Sequence, residues 1–477
     1  MKKTVVLYPG LAVGHFNPMM VLADVFLDHG YAVAVALINP SVKDDDAAFN
    51  AAVARAVSSK SSATVSFHML PRIPDPPSLA FDDDKFFTNY FDLVRRYDEH
   101  LHDFLCSVQG LHAVVVDASC GFAIQAVRKL GVPAYELYPC DAGALAVNIQ
   151  IPSLLAGFKK LGGGEEGSAP LELLGVPPMS ASHVTDLFGR SLSELISKDP
   201  EATTVAAGAR VMAEFDGILI NTFVSLEERA LRALADPRCC PDGVVLPPVY
   251  AVGPLVDKAA AGAGDETSRR HESLVWLDGQ PDRSIVFLCF GSIGGNHAEQ
   301  QLREIAAGLD KSGHRFLWVV RWAPSTEHLD ALLPEGFLAR TSGRGLVVNT
   351  WVPQPSVLRH RATAAFVTHC GWNSVLEGIT AGVPMLCWPM YAEQRINKVL
   401  MVDDMGVGVE MEGWLEGWVT AEEVEAKVRL VVESEHGRKL RERVEAHRDG
   451  AAMAWKDGGS SHVAFARLMT ELDNAQR

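Results

Sequence analysis

Four side chains suited to a charged, hydroxylated ligand fall within one short stretch of the chain: His369, Asn373, Ser374 and Glu377. They flank a change of secondary structure. The run Ala364–Thr368 reads as a strand, His369-Cys370-Gly371-Trp372 as a turn, and Asn373–Ala381 as a helix ended by Gly382 and Pro384. A helix that starts at a strand's carboxyl end presents unbonded N–H groups and about half a positive charge, which makes an anion site. His369, Asn373 and Ser374 can donate to phosphate oxygens there. Upstream, Trp351 offers a face for a planar base, and Glu377, one turn into the helix, can accept from a ribose diol. The plainer alternative is a βα unit whose Trp and His are only packed.

A second pair could move a proton. An imidazole with a pKa near 6.5 suits general-base work. His15 ends the turn Pro9-Gly10-Leu11-Ala12-Val13-Gly14-His15, just before a helix expected from Pro18 to Gly30 with Asn17 as its N-cap. Asp117 ends the strand Ala113–Val116, so both side chains would converge on one sheet edge. The other histidines, His112 included, read as surface or structural.

Positioning these groups requires parallel sheets. Buried strands are expected at Thr4–Tyr8, Tyr31–Ile38, Ser284–Phe290, Arg315–Val320 and Gly345–Asn349, with helices such as Ala298–Lys311 between them. That alternation is the signature of βαβ units. The stretches Gly162–Ala169 and Asp257–Arg270 are small, polar and aperiodic, and read as an exposed loop and a linker. The organisation predicted is a domain over 1–250, a linker over 251–270, a second α/β domain over 271–455 and a C-terminal helix over 456–477 that packs back on the first domain. A cleft between such domains is a favoured ligand site.

Composition narrows the chemistry. The 477 residues are 48% hydrophobic and 21% charged, which excludes a disordered or fibrous chain. A net charge of -16, from 43 basic and 59 acidic residues, argues against nucleic acid as a partner. Eight cysteines with no C-x-x-C pair suggest neither a disulfide framework nor a zinc site, and fit a reducing compartment. Pro9 and Gly10 interrupt the apolar start, which therefore reads as a first strand and not as a signal peptide. No run approaches the roughly 18 apolar residues of a membrane span. The glycine spacing, Gly10 and Gly14, is not G-x-G-x-x-G, and the second strand ends without an acidic residue, so a nicotinamide enzyme is disfavoured. Asp44–Asp46 and Asp82–Asp84 read as solvated charge runs and not as metal ligands.

Taken whole, residues 351–394 resemble the donor-binding signature of the plant UDP-sugar-dependent glycosyltransferases. Trp351-Val352-Pro353-Gln354, His369-Cys370-Gly371-Trp372-Asn373-Ser374, Glu377 followed by Gly382-Val383-Pro384, and a final Glu393-Gln394 all stand at family spacing. Val252-Gly253-Pro254-Leu255, Trp276-Leu277-Asp278, Phe290-Gly291-Ser292 and Gly458-Gly459-Ser460-Ser461 extend the likeness over essentially the full chain.

The resemblance implies a GT-B fold, two facing Rossmann-like domains. It implies Trp351, Val352 and Gln354 at the nucleoside, and His369, Asn373, Ser374 and Ser292 at the diphosphate. Glu377 would take the ribose, and Trp372, Glu393 and Gln394 the sugar. A terminal Gln implies glucose, so UDP-glucose would be the co-substrate. His15 would be the general base, oriented by Asp117, in a direct displacement with inversion that needs no metal. The acceptor would be a flavonoid or other small phenolic, bound near Phe16, Phe122 and Tyr138, with Phe86, Phe87 and Leu187–Phe188 as further candidates. Terpenoid, hormone or xenobiotic acceptors and C-glycosylation stay open. A cytoplasmic monomer is implied. The chain departs from the family pattern at Leu137-Tyr138-Pro139-Cys140-Asp141, where relatives often carry Phe-Thr-Ser with a hydroxyl for the sugar, and at Glu393, where Asp is commoner.

Overall fold

The structure is a computed structural model. It describes residues 2–39, 47–62, 64–79, 86–160, 169–185, 190–197, 208–240, 244–257, 271–291, 297–320 and 326–474. The two Asp triplets, most of both polar stretches, Leu187–Phe188 and Ser292 lie outside the described residues, as does the side chain of Phe87.

Two parallel sheets carry the chain. The first runs β3-β2-β1-β4-β5-β6-β7, with β1 Thr4–Tyr8, β2 Ala32–Leu37, β3 Val65–Met69, β4 Leu111–Asp117, β5 Ala134–Tyr138, β6 Gly217–Ile220 and β7 Val249–Ala251. The second runs β10-β9-β8-β11-β12-β13, with β8 Ile285–Cys289, β9 Arg315–Val319, β10 Gly345–Val348, β11 Thr363–Thr368, β12 Met385–Cys387 and β13 Gly408–Glu410. Period-two side chains explain the unbroken apolar runs. Val5 and Leu7 enter one core and Val6 and Tyr8 another; Ile285 and Phe287 enter a third and Val286 and Leu288 a fourth. With helices on both faces, no position in these strands can be polar without cost.

Each sheet reverses its strand order once, between β1 and β4 in the first and between β8 and β11 in the second. Crevices at the carboxyl ends of strands at such points are where open α/β sheets bind ligands. His15 follows β1 and Asp117 ends β4; Gly291 follows β8 and His369 follows β11. The two constellations read from sequence thus occupy the two switch points.

The halves are tied together in two ways. Ala144, Val147 and Phe223 of the first half share an apolar cluster with Trp372, Ile396 and Leu400 of the second. The helix Ser460–Asn474 returns to the first half, burying Phe465, Leu468 and Leu472 in its core, and Ser461 Oγ donates to the Gly253 carbonyl.

The first helix corrects the sequence reading. It spans Val13–Asp28 with Ala12 as N-cap, so Asn17 caps nothing and Pro18 lies inside it. His15 accordingly sits in the first helical turn and not before the helix. Pro18 has no N–H for the Gly14 carbonyl, and that carbonyl finds a partner elsewhere.

Candidate active site between two switch points

At the first switch point His15 Nδ1 and Asp117 Oδ1 are 2.8 Å apart. Asp117 is fully buried, and Oδ1 also accepts from the Ser119 N–H at 2.9 Å and the Ser119 hydroxyl at 2.5 Å. The Ser119 hydroxyl in turn meets the Tyr90 hydroxyl at 2.8 Å. Such support fixes the carboxylate, which holds the imidazole with Nδ1–H toward Asp117 and Nε2 as the proton acceptor. Burial by itself would lower the His15 pKa. The charge of Asp117, its hydrogen bond and the charge of Glu393 outweigh burial and raise it above 6.5. Gly10 makes the close packing possible, since a Cβ there would stand 2.2 Å from Ser119 Oγ and 2.9 Å from Asp117 Oδ1.

At the second switch point the helix Trp372–Ala381 starts from Gly371 with no side-chain cap, so its first N–H groups stay available to an anion. Cys370 turns the chain with φ 63°, a left-handed conformation that Asn397 supports by donating to the Cys370 carbonyl at 2.9 Å. The His369 ring lies between two glycines: a Cβ on Gly291 would approach Nε2 to 2.7 Å, and one on Gly371 to 2.4 Å. Burial pushes the His369 pKa down to about 4. It can therefore offer an N–H to a phosphate but no resident positive charge, and the favourable field comes from the helix terminus.

Gln354 links the rest of the donor side. Its amide donates to Ser374 Oγ at 2.9 Å and to Glu377 Oε2 at 2.8 Å. Burial raises the Glu377 pKa to about 7, against the opposing Gln354 hydrogen bond. Val352 is buried beneath, while Trp351 is 49% exposed and has the Arg55 guanidinium 4.8 Å from its ring centroid. Gln394 is buried with its carbonyl accepting from the Met390 and Tyr391 N–H groups at 2.9 Å, which leaves its amide N–H groups for a ligand. Glu393 lies near enough to His15 for its charge to act on it. Burial chiefly raises the pKa values of Tyr138, Cys140 and Asp141, and the charge of Glu393 adds to each.

Several expected contacts are placed differently. The Trp372 indole is buried and its N–H donates to the Asn221 carbonyl at 2.7 Å, so only its backbone is available to a sugar. Phe16 is not at the cleft. It is buried in the first half's core, edge-on to Phe49, because successive helical residues point about 100° apart and His15 takes the cleft direction. Phe122 and Tyr138 do border a cavity, whose floor is β5 and whose walls include Phe91, Leu145 and Asn148. Phe86 is half-buried against Tyr90.

Three residues escaped the sequence reading. Ser119 and Tyr90 carry the Asp117 network, and only the Asp-x-Ser spacing hinted at the first. Asn221, fully buried just past β6, binds Trp372 through its carbonyl, Asn373 through its amide at 3.4 Å and the Leu255 N–H through Oδ1 at 2.7 Å. No local pattern signals it.

Known proteins resemble this chain in sequence and fold. A family model described as UDP-glucoronosyl and UDP-glucosyl transferase matches residues 255–449. The anthocyanidin 5,3-O-glucosyltransferase of a Rosa hybrid cultivar is 37% identical, over 97% of this chain and 98% of its own. A solved structure of TcCGT1 in complex with UDP superposes with a TM-score of 0.85 at 28% identity over all of both chains. Phytolacca americana UGT2, solved with UDP-2fluoro-glucose and pterostilbene, superposes at 0.80 with 29% identity over 99% of each chain. With two parallel-sheet domains in the GT-B arrangement and a relative this similar over nearly its whole length, the chain belongs to the plant UDP-glycosyltransferase family and is a glycosyltransferase.

Proposed function

We propose that the enzyme moves glucose from UDP-glucose to a hydroxyl of a flavonoid or related phenolic, with inversion at the anomeric carbon. His15 Nε2 takes the acceptor's proton as the acceptor oxygen bonds to the anomeric carbon. The bond from that carbon to the diphosphate oxygen breaks, and UDP leaves with the electron pair. The Trp372–Ala381 helix terminus, with His369, Ser374 and Asn373, stabilises the departing charge. Asp117 holds the imidazole and balances its charge once protonated. The observation that carries this reading is the His15–Asp117 pair at 2.8 Å, standing across the cleft from an uncapped helix N-terminus.

Relatives support the substrate class: one is named for anthocyanidins, and others, from Malus domestica, for phloretin. We further propose that Trp351 stacks on uracil, that Glu377 holds the ribose, and that Glu393 and the Gln394 amide read the glucose hydroxyls. We place the enzyme in the cytosol as a monomer; among the described residues no helix is long and apolar enough to cross a membrane. No group of three metal-ligating side chains occurs among the described residues, and the displacement as written assigns no step to a metal.

Incubation of the purified chain with UDP-glucose and a panel of phenols, followed by mass spectrometry, should reveal a hexose adduct whose anomeric proton coupling is that of a β-glucoside. An α-glucoside, or no adduct with any phenol, would overturn the reading. Replacing the donor by UDP-galactose should lower turnover at least several-fold; equal turnover would remove Gln394 as a glucose determinant.

A further inference from the structure

The cavity beside the catalytic pair is mostly apolar, yet one wall is not. Glu136 and Tyr138 are two apart on β5 and so project from the same sheet face, and Asn148 reaches the same space from the helix Ala142–Lys160. All three are at least 96% buried. Among the described residues Glu136 Oε2 has no hydrogen-bond partner, and the Tyr138 hydroxyl and the Asn148 amide have none of good geometry, interacting only weakly with each other. Three buried polar groups with hydrogen-bonding capacity left over on one cavity are unusual, because each unmade bond costs about 1–3 kcal/mol.

Space has been cleared for the carboxyl. A Cβ on Gly121 would stand 3.1 Å from Glu136 Oε1, closer than such contacts ordinarily come. In the sheet Glu136 pairs with Val116, one residue short of Asp117, so this wall lies alongside the catalytic edge. Burial, reinforced by the charge of Asp117, pushes the Glu136 pKa up to about 8. At neutral pH the group is then an uncharged acid that both donates and accepts.

We propose that Glu136, Tyr138 and Asn148 form a recognition wall for a second polar group of the acceptor, a hydroxyl or carbonyl remote from the hydroxyl that is glycosylated. The acceptor is accordingly a polyhydroxylated or keto-bearing aromatic and not a monofunctional lipophilic alcohol. This rests on reading the cavity as the acceptor site. A site built to hydrogen-bond a hydroxyl rejects the analogue lacking it far more strongly than an apolar pocket rejects a missing methylene.

The test compares two rigid probes, para-hydroxystilbene and its symmetric para,para′-dihydroxy analogue, whose two ends are equivalent. Their affinities for the UDP-saturated protein are read by stilbene fluorescence, independently of any transfer. The wild-type chain should favour the dihydroxy probe by about tenfold or more, as one or two added hydrogen bonds predict. Glu136→Leu and Asn148→Leu should each bring the ratio down toward the factor of about two that equivalent ends alone supply. Glu136→Gln, which keeps shape, donor and acceptor, should retain the preference. A wild-type ratio near two, a full preference surviving in both leucine variants, or no binding of either probe would overturn the proposal. Glucoside formation from the same mixtures with UDP-glucose reports separately on the transfer reaction, so a binding preference without transfer would count against the proposed function and not against the wall.

Discussion

Asn373 donates its side-chain amide to the Gly14 carbonyl at 2.5 Å, and Gly14 is the residue before His15. The bond joins the first turn of the Trp372–Ala381 helix in one half to the first turn of the Val13–Asp28 helix in the other. It exists because Pro18 cannot supply the N–H that would otherwise occupy that carbonyl. Asn221 completes the joint by holding Asn373 and Trp372 from the first half. His15 and the N-terminus of the Trp372–Ala381 helix are therefore fixed relative to each other by side chains from both domains.

Restoring the missing helical donor should disturb that joint. In Pro18→Ala the new N–H competes for the Gly14 carbonyl, and removal of an internal proline favours the helix by up to about 3 kcal/mol. The variant should melt higher than wild type while kcat falls several-fold. A higher melting temperature with unchanged kcat would show that the Asn373–Gly14 bond does not position the base.

In the proposed mechanism the pair His15–Asp117 sets the pH profile. A general base works deprotonated, and the His15 pKa is raised above 6.5, so kcat/KM should fall as pH drops through a value above 6.5. Asp117→Asn removes the charge and the hydrogen bond that oppose burial. Residual activity should then have its acid limb at lower pH, with kcat reduced by on the order of 10²–10⁴. UDP affinity, measured by calorimetry, should stay within a few-fold in this variant and in His15→Ala. An unmoved acid limb in Asp117→Asn, or wild-type turnover in His15→Ala, would assign the proton transfer to another group.

On the donor side, Trp351 is exposed enough that truncation should not unfold the chain. Loss of base stacking is worth about 1–3 kcal/mol, so Trp351→Ala should weaken UDP binding roughly ten- to a hundredfold. Arg55, which lies over the same indole from the first half, should matter less: Arg55→Ala is expected to change UDP affinity by no more than a few-fold, because an exposed cation–π contact contributes only about 0.5–1 kcal/mol. Undiminished UDP affinity in Trp351→Ala would remove the indole as the uracil platform.

Much of this was legible in the chain because the cause was local. The strands announced themselves as buried β-branched runs, and β8, β9, β10 and β11 lie within a residue of where those runs end. The Trp372–Ala381 helix was readable from its terminal Gly382, whose φ of 73° is the left-handed stop that glycine permits. The first helix departs from the local pattern for the opposite reason. A proline ordinarily opens a helix, but here a distant amide satisfies the carbonyl it abandons, and a rule about neighbours in sequence cannot contain that. Phe16 and Trp372 failed likewise, since only the packed halves decide whether an aromatic faces a cleft or a core. Asn221 has three partners separated from it by 34 to 152 positions, and nothing around it in sequence distinguishes it from any other asparagine at a strand end.

The buried acid at the acceptor cavity should also govern stability against pH. Below about 4.5, its ordinary value, Glu136 is protonated whether the chain is folded or not, and its contribution is fully present. Between there and about 8 the unfolded chain releases the proton while the folded chain keeps it, so stability falls as pH rises and the contribution is gone above about 8. Glu136→Gln has no proton to lose. Its melting temperature should match that of wild type near pH 5 and exceed it at pH 8, the gap widening steadily between. Calorimetric melts across that range would show parallel curves for the two proteins if Glu136 were already ionised in the folded state, and the recognition wall would then present a fixed negative charge that only a hydrogen-bond donor on the acceptor could meet.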